Sequence, residues 1–154
     1  MAKTNGRNAA TKIAEMLIDV LSDTYVLTVK THGYHWNVTG TLFPQLHEFF
    51  GKQYEELFDA ADDIAERIRA LDLPAPGSMA SFLSNTKIKE ATGAPGNAAA
   101  MLRDLLKSHE TLRARLAETA DAAGEAGDKA TEDLMVERLR AHDKIIWMLR
   151  SQAG

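Results

Sequence analysis

The 154-residue chain carries 18 Lys and Arg against 22 Asp and Glu, a formal net charge of -4, and contains no Cys. Its length suits one domain with a core that stands without covalent staples. The missing thiols exclude disulfide scaffolds, thiolate metal sites and cysteine nucleophiles, and the acidic balance has the wrong sign for a simple coat on DNA.

The start of the chain, Met1 to Lys12, is polar and lacks the apolar stretch of a secretory leader. No apolar run approaches the roughly 20 residues that a membrane helix needs. The expectation is a soluble cytoplasmic protein with no membrane partner. Residues 1–8 read as a flexible N-terminal tail. From Ile13 an apolar stripe steps by three and four through Leu17, Val20, Thr24 and Leu27, which predicts a helix reaching His35 or Trp36. Asn37-Val38-Thr39-Gly40 breaks it. Pro44 suits the first turn of a second helix, whose stripe is Leu46, Phe50, Leu57, Ala61, Ile64, Ile68 and Leu71.

That helix ends at Leu73-Pro74-Ala75-Pro76-Gly77, and Met79 to Leu83 predicts a short helical turn inside a connection running to Gly96. Asn97 is placed to cap a third helix through Leu102, Leu105, Leu106, Leu112 and Leu116, which Gly124 and Gly127 terminate. Asp128 can cap the fourth, which carries Leu134, Leu139, Ile145, Ile146, Met148 and Leu149. The predicted fold is all-α: one domain over residues 1–154, a four-helix bundle whose crossover connection carries a short extra helix.

The chemistry concentrates at the end of the first helix and along the second. His47, Phe58, Asp62 and Glu66 fall within an arc of roughly 100° at 3.6 residues per turn. Asp62 and Glu66, four apart, point the same way, and an interhelix turn would bring His35 near His47. Two imidazoles and two carboxylates suit iron or another first-row divalent metal. His47 and Asp62, however, are fifteen residues apart on one helix, roughly 22 Å along its axis. They cannot share an ion within one chain. If they do share one, a second copy lies antiparallel, and a two-fold dimer carries two equivalent sites. The plainer alternatives are a solvated acidic face paired with Arg67 and Arg69, His35 as a helix-end residue facing the dipole, and a different histidine pair, His32 with His35.

The run His35-Trp36-Asn37-Val38-Thr39-Gly40, then Phe43, Leu46-His47-Glu48, Tyr54 and Asp62-Asp63-Ile64-Ala65-Glu66-Arg67, closely resembles the Dps family of mini-ferritins. The similarity continues through Ser81-Phe82-Leu83, Gly127-Asp128 and His142-Asp143-Lys144-Ile145-Ile146-Trp147-Met148. The resemblance implies a ferritin-like bundle assembled into a hollow dodecamer from two-fold dimers. It also implies a ferroxidase that oxidises Fe(II) at the dimer interfaces, preferentially with hydrogen peroxide, and stores ferric oxide inside, protecting against oxidative damage. His35, His47, Asp62 and Glu66 match the family's metal ligands residue by residue, for iron or a substituting divalent metal. Trp36 matches the Trp that contacts the site and takes part in electron transfer, with an interface anchor as the plainer alternative. Asp128, Asp133 and Glu137 match acidic residues lining three-fold iron-entry pores, with a helix cap and ordinary helix-end acids as the alternative. A cytoplasmic location follows, with nucleoid association left open.

One departure stands out: many family members carry a carboxylate four residues after the second His, where this chain has Gly51. An acid restored there would share an arc with His47 and is expected to tighten a second iron position, unless Gly51 makes room for close backbone approach of the partner helix. Among competing functions, a classical ferritin lacks its key residues, since no Glu here is followed by His three positions later. A DNA-compacting nucleoid protein with secondary iron oxidation is the stronger rival, yet Lys3, Arg7, Lys12 and Arg150 supply few phosphate contacts, so weak DNA binding is expected. A surface protein built on the same shell finds no specific support.

Overall fold

The computed structural model describes residues 2–153 apart from Pro95, with side chains described over 8–152. Five helices follow in order: α1 (Ala2–Asn37), α2 (Phe43–Ala70), α3 (Met79–Asn85), α4 (Ala98–Glu125) and α5 (Lys129–Ala153). The backbone enters α1 at Ala2, within the segment expected to be a flexible tail. The side chains of that segment up to residue 7, Lys3 and Arg7 included, lie outside the described residues.

Each boundary has a local cause. Pro44 occupies the first turn of α2, where its missing N–H costs nothing. Asp72 ends that helix at φ 66°, with Asp72 N–H donating to Arg69 O at 3.0 Å and Leu73 N–H to Ile68 O at 3.4 Å. Gly127 ends α4 in the same way at φ 74°, with Asp128 N–H donating to Ala123 O at 2.9 Å. Both are left-handed Schellman closures, which satisfy carbonyls the helix leaves unpaired. Asn97 caps α4 by accepting from Ala100 N–H at 2.9 Å, and Asp128 caps α5 by accepting from Thr131 N–H at 3.1 Å.

The apolar stripes face one another. Leu17, Val20, Leu27, Leu46, Phe50, Leu57, Ile64, Ile68, Leu105, Leu112, Leu116 and Leu149 are buried in a single core, at roughly 1.5–3 kcal/mol of stabilisation per large side chain. α1 packs on α2 and on α4, α4 on α5, and α5 on α2. Ion pairs Glu56–Arg138 and Arg67–Asp128 show that α2 and α5 run antiparallel, since the α5 number falls as the α2 number rises. The bundle with its crossover and extra helix is therefore as the sequence predicts.

A buried clamp that composition did not reveal fixes the crossover. The carboxylate of Asp23, inaccessible on α1, accepts from the Thr86 hydroxyl and from Lys87 N–H, both at 2.7 Å. Arg115 of α4 stands 3.2 Å from the same carboxylate and donates to Asp19 O and Asn85 O at 3.0 and 3.1 Å. Phe82 of α3 stacks on Tyr25 at 4.4 Å. Together these hold α3 along α1. Removing one partner of a buried ion pair strands the other, so Asp23→Ala should cost about 3–5 kcal/mol. A thermal unfolding midpoint unchanged from wild type would contradict this account of the clamp.

The bundle interior also holds a histidine pair. His109 of α4 and His142 of α5 are inaccessible, with their Nδ1 atoms 2.8 Å apart. One Nδ1 must donate and the other accept, so the contact has room for one proton and not two. Burial, then the Arg138 charge, pushes His109 down to about 3. Burial, then His109 and Arg138, holds His142 well below its ordinary value. The unfolded chain titrates these groups near pH 6.5, so below that pH it binds protons that the folded chain refuses. Their contribution is complete above about pH 6.5 and drains away as the pH falls toward 3, at up to about 1.4 kcal/mol per pH unit for each histidine. Unfolding midpoints measured from pH 7 to 5 should therefore fall, and His109→Leu with His142→Leu should flatten the fall.

Candidate metal centre

The chain reverses between α1 and α2 over a very short connection. Gly40 adopts φ 101°, Phe43 N–H donates to Gly40 O at 3.0 Å, and Val38 is buried beneath the turn. This geometry sets the last turn of α1 against the first turns of α2. His35 and His47 consequently stack, with ring centroids 3.8 Å apart and planes at 18°.

The two rings are locked by a reciprocal pair of hydrogen bonds. His35 Nδ1 lies 2.6 Å from His47 O, and His47 Nδ1 lies 2.8 Å from His35 O. A carbonyl oxygen only accepts, so both Nδ1 atoms must carry the proton. Each neutral ring is thereby fixed in the tautomer whose Nε2 lone pair is free, the form a metal ion requires. Neither helix supplies this arrangement alone.

Gly51 is part of the same construction. It is buried, and a Cβ built on it would lie 3.2 Å from both Cε1 and Nδ1 of His35. The His35 ring is held from the far side by its stack on His47 and its hydrogen bond, so it has little freedom to retreat. Glycine at 51 is the seat of the His35 ring, and any side chain placed there requires that ring to give by a few tenths of an ångström.

Further rings surround the pair. Tyr54 meets His35 edge-on at 5.3 Å and stacks on His32 at 4.0 Å, and His32 also contacts Trp36 at 4.0 Å. His32, weighed from sequence as a partner for His35, lies 6.2 Å from it and instead fills the space between Tyr54 and Trp36. The indole of Trp36 is 64% exposed in the single chain. Tyr54 carries part of this arrangement, although sequence offered it only as a matching letter. Its signal was its place seven residues, two helical turns, beyond His47.

Asp62 and Glu66 stand far along α2, both exposed, with the exposed ring of Phe58 beside them. The arginines near them in sequence are otherwise engaged. Arg67 binds Asp128 at 2.9 Å and the Thr131 hydroxyl at 2.9 Å, and Arg69 donates to Leu73 O at 2.9 Å. α2 is one continuous helix between His47 and Asp62, so the imidazoles and the carboxylates are separate halves. Among the described residues no group of three or more His, Asp or Glu comes together in one chain.

The three acids matched to an entry pore differ in state. Asp133 and Glu137 are exposed on one face of α5. Asp128 is half-buried as the helix cap, and its carboxylate accepts from Thr131 N–H, from the Thr131 hydroxyl at 2.6 Å and from Arg67. Burial pushes its pKa up, but the Thr131 hydrogen bonds and the Arg67 charge outweigh that and leave it below the ordinary carboxylate value.

Comparison with known proteins fits this geometry. Residues 14–154 match the ferritin-like domain family. The chain is 34% identical over 139 residues to a DNA protection during starvation protein from Brevibacillus brevis, covering 90% of this chain and 93% of that one. The chain belongs to the Dps family. It is also 39% identical over 140 residues to a low temperature-induced protein of Nostoc, covering 90% of this chain and 78% of that one. The crystal structure of the Dps protein from Vibrio cholerae, described as a ferritin-like diiron-carboxylate protein, superposes with a TM-score of 0.93 at 30% identity, over 96% of this chain and 92% of that one. Membership in the Dps family is consistent with iron oxidation and storage as the general function. No helix among the described residues is long and apolar enough to cross a membrane.

The seat at residue 51 yields a direct expectation. Gly51→Asp should lower affinity for a divalent ion by roughly ten- to a hundred-fold, the usual cost of disturbing a group that orients a ligand. Calorimetric titration with Co(II) checks it, and tighter binding than wild type would contradict it.

Proposed function

We propose that the chain is a peroxide-using ferroxidase whose iron site is completed between two copies, within a dodecameric shell that stores ferric oxide in the cytoplasm. The observation that carries this reading is the His35–His47 pair. Its two free Nε2 donors are set in place with no further ligand nearby in the same chain. A second, antiparallel copy would bring Asp62 and Glu66 to that pair. The dimer would then hold two such sites.

The chemistry of the donor set fits ferrous iron. Two neutral imidazoles and two carboxylates balance a divalent charge, and such hard and borderline donors suit Fe(II). Glu66 would bind or bridge the ions, and Trp36 reaches the histidine pair through His32. Fe(II) is the substrate. The residues orient it, hold it dry beneath the partner and favour the Fe(III) product through carboxylate charge.

The exposed surface supports a partner. Val29, Trp36, Phe58, Met79 and Leu83 are among the large apolar side chains left open, and exposed apolar area of this kind marks association surfaces. Asp133 and Glu137, exposed on α5, would concentrate cations at a symmetric pore. Asp128 would contribute the helix end behind them.

A single-chain ferritin centre inside the bundle is disfavoured by what occupies that interior. Arg138 is buried there, paired with Glu56 and 3.4 Å from His142 Nε2. A resident guanidinium beside the histidines repels a second cation.

Asp62→Ala combined with Glu66→Ala should reduce peroxide-driven Fe(II) oxidation to the rate without protein, while the shell still elutes at its assembled size. Oxidation at the wild-type rate by that variant would overturn the reading.

A further inference from the structure

We infer that the interior of the bundle, between α2, α4 and α5, holds a bound water that joins His109 to Gln53. The site is independent of the iron-oxidising reading. It lies in the interior from which Arg138 turns a cation away.

Antiparallel packing places these residues in one layer. Arg138 of α5 pairs with Glu56 of α2. Gln53 stands three residues before Glu56 and His142 four after Arg138, so each lies about one turn further in the same direction along the bundle. His109 joins that layer from α4, its Nδ1 being 2.8 Å from His142 Nδ1. Gln53 is 4% exposed, and both histidines are inaccessible.

The hydrogen bonds in the layer run one way. A guanidinium only donates, so Arg138 Nη2, 3.4 Å from His142 Nε2, meets a bare nitrogen there. Burial holds both imidazoles neutral at pH 7, with one ring proton each. The His142 proton is therefore on Nδ1 and is donated to His109 Nδ1. That leaves the His109 proton on Nε2.

No protein atom receives it. His109 Nε2 has no hydrogen-bond partner among the described residues, and neither has Gln53 Nε2 or Gln53 Oε1. Buried polar atoms of native proteins are paired almost throughout, by protein or by ordered water. The chemistry of these three atoms selects the molecule that pairs them. His109 Nε2 and Gln53 Nε2 offer hydrogens, while Gln53 Oε1 needs one. An anion serves the two donors and leaves the oxygen alone. A cation serves only the oxygen and meets the Arg138 charge. Water does both, and a buried water typically makes about three hydrogen bonds.

The hydroxyls at this height of α1 do not supply the missing hydrogen. Lys30 of α1 reaches Ser108, the neighbour of His109, and the nearby buried hydroxyls of Thr28 and Thr31 donate to Thr24 O and Leu27 O, each at 2.7 Å. With water in place, one chain runs from Glu56 through Arg138, His142, His109 and the water to Gln53. It begins and ends on α2 and ties α4 and α5 to that helix.

Crystals of the assembled protein test this directly. X-ray diffraction that resolves ordered solvent should show a peak about 2.7–3.2 Å from both His109 Nε2 and a Gln53 amide atom. Neutron diffraction after exchange into deuterated water should place deuterium on His109 Nε2 and on His142 Nδ1. Bromide and Co(II) soaks, read by anomalous scattering, should leave the position unmarked. Gln53→Leu strands the His109 N–H, so it should abolish the peak and lower the thermal unfolding midpoint by several degrees. A direct His109–Gln53 hydrogen bond with no solvent peak would overturn the inference. So would deuterium on His109 Nδ1 with Nε2 bare, an anomalous bromide or cobalt peak at the position, or a Gln53→Leu protein that melts with wild type. Should that variant fail to assemble, the wild-type diffraction experiments still decide.

Discussion

The length of α2 constrains everything functional in this chain. A continuous helix keeps its ends apart by 1.5 Å per residue, so donors at His47 and Asp62 are held roughly 22 Å from each other. No side-chain rearrangement closes that gap. The helix is continuous, and its buried stripe runs from Leu46 to Ile68, so the packing that stabilises the fold also holds the imidazoles and the carboxylates apart. With imidazoles at one end of the helix and carboxylates at the other, the proposed site needs an antiparallel copy to close.

The imidazole half shows how much of a site is backbone. Two carbonyls, His35 O and His47 O, decide which nitrogen of the opposite ring is protonated. A glycine decides whether one of those rings has space. None of these atoms belongs to a side chain that a motif search would credit. At Gly51 an added Cβ would press on the His35 ring at 3.2 Å, which sets a steric cost against the expected benefit of a carboxylate there.

The fold was legible because burial leaves a periodic mark. The stripes through Leu17, Leu57, Ile64 and Leu112, with the caps at Asn97 and Asp128, placed four helices and their ends. The pairing of His35 with His47 followed from sequence proximity across a turn, and the split between His47 and Asp62 from helix length alone. The Asp23–Arg115 clamp was not legible, since a lone charge in a helix reads as solvated until its distant partners are known. The His109–His142 contact was missed for a related reason. His109 sits on the same stripe as Leu105, Leu112 and Leu116, which marks it as interior, but its partner lies on another helix. The contacts of Tyr54 with His35 and His32 are ring-to-ring distances, which spacing does not encode.

Shared ligation between copies is the claim on which the functional reading turns, and mixed assemblies address it most directly. One variant carries His35→Ala and His47→Ala, the other Asp62→Ala and Glu66→Ala, and each alone should leave Fe(II) oxidation at the protein-free rate. Co-expressed with distinguishable tags and purified as hybrids, they form dimers in which one of the two sites draws both imidazoles and both carboxylates from intact halves. Such hybrids should recover peroxide-driven oxidation and bind one equivalent of Co(II) per dimer at the restored site. Hybrids as inactive as either parent would contradict a site completed by a second copy.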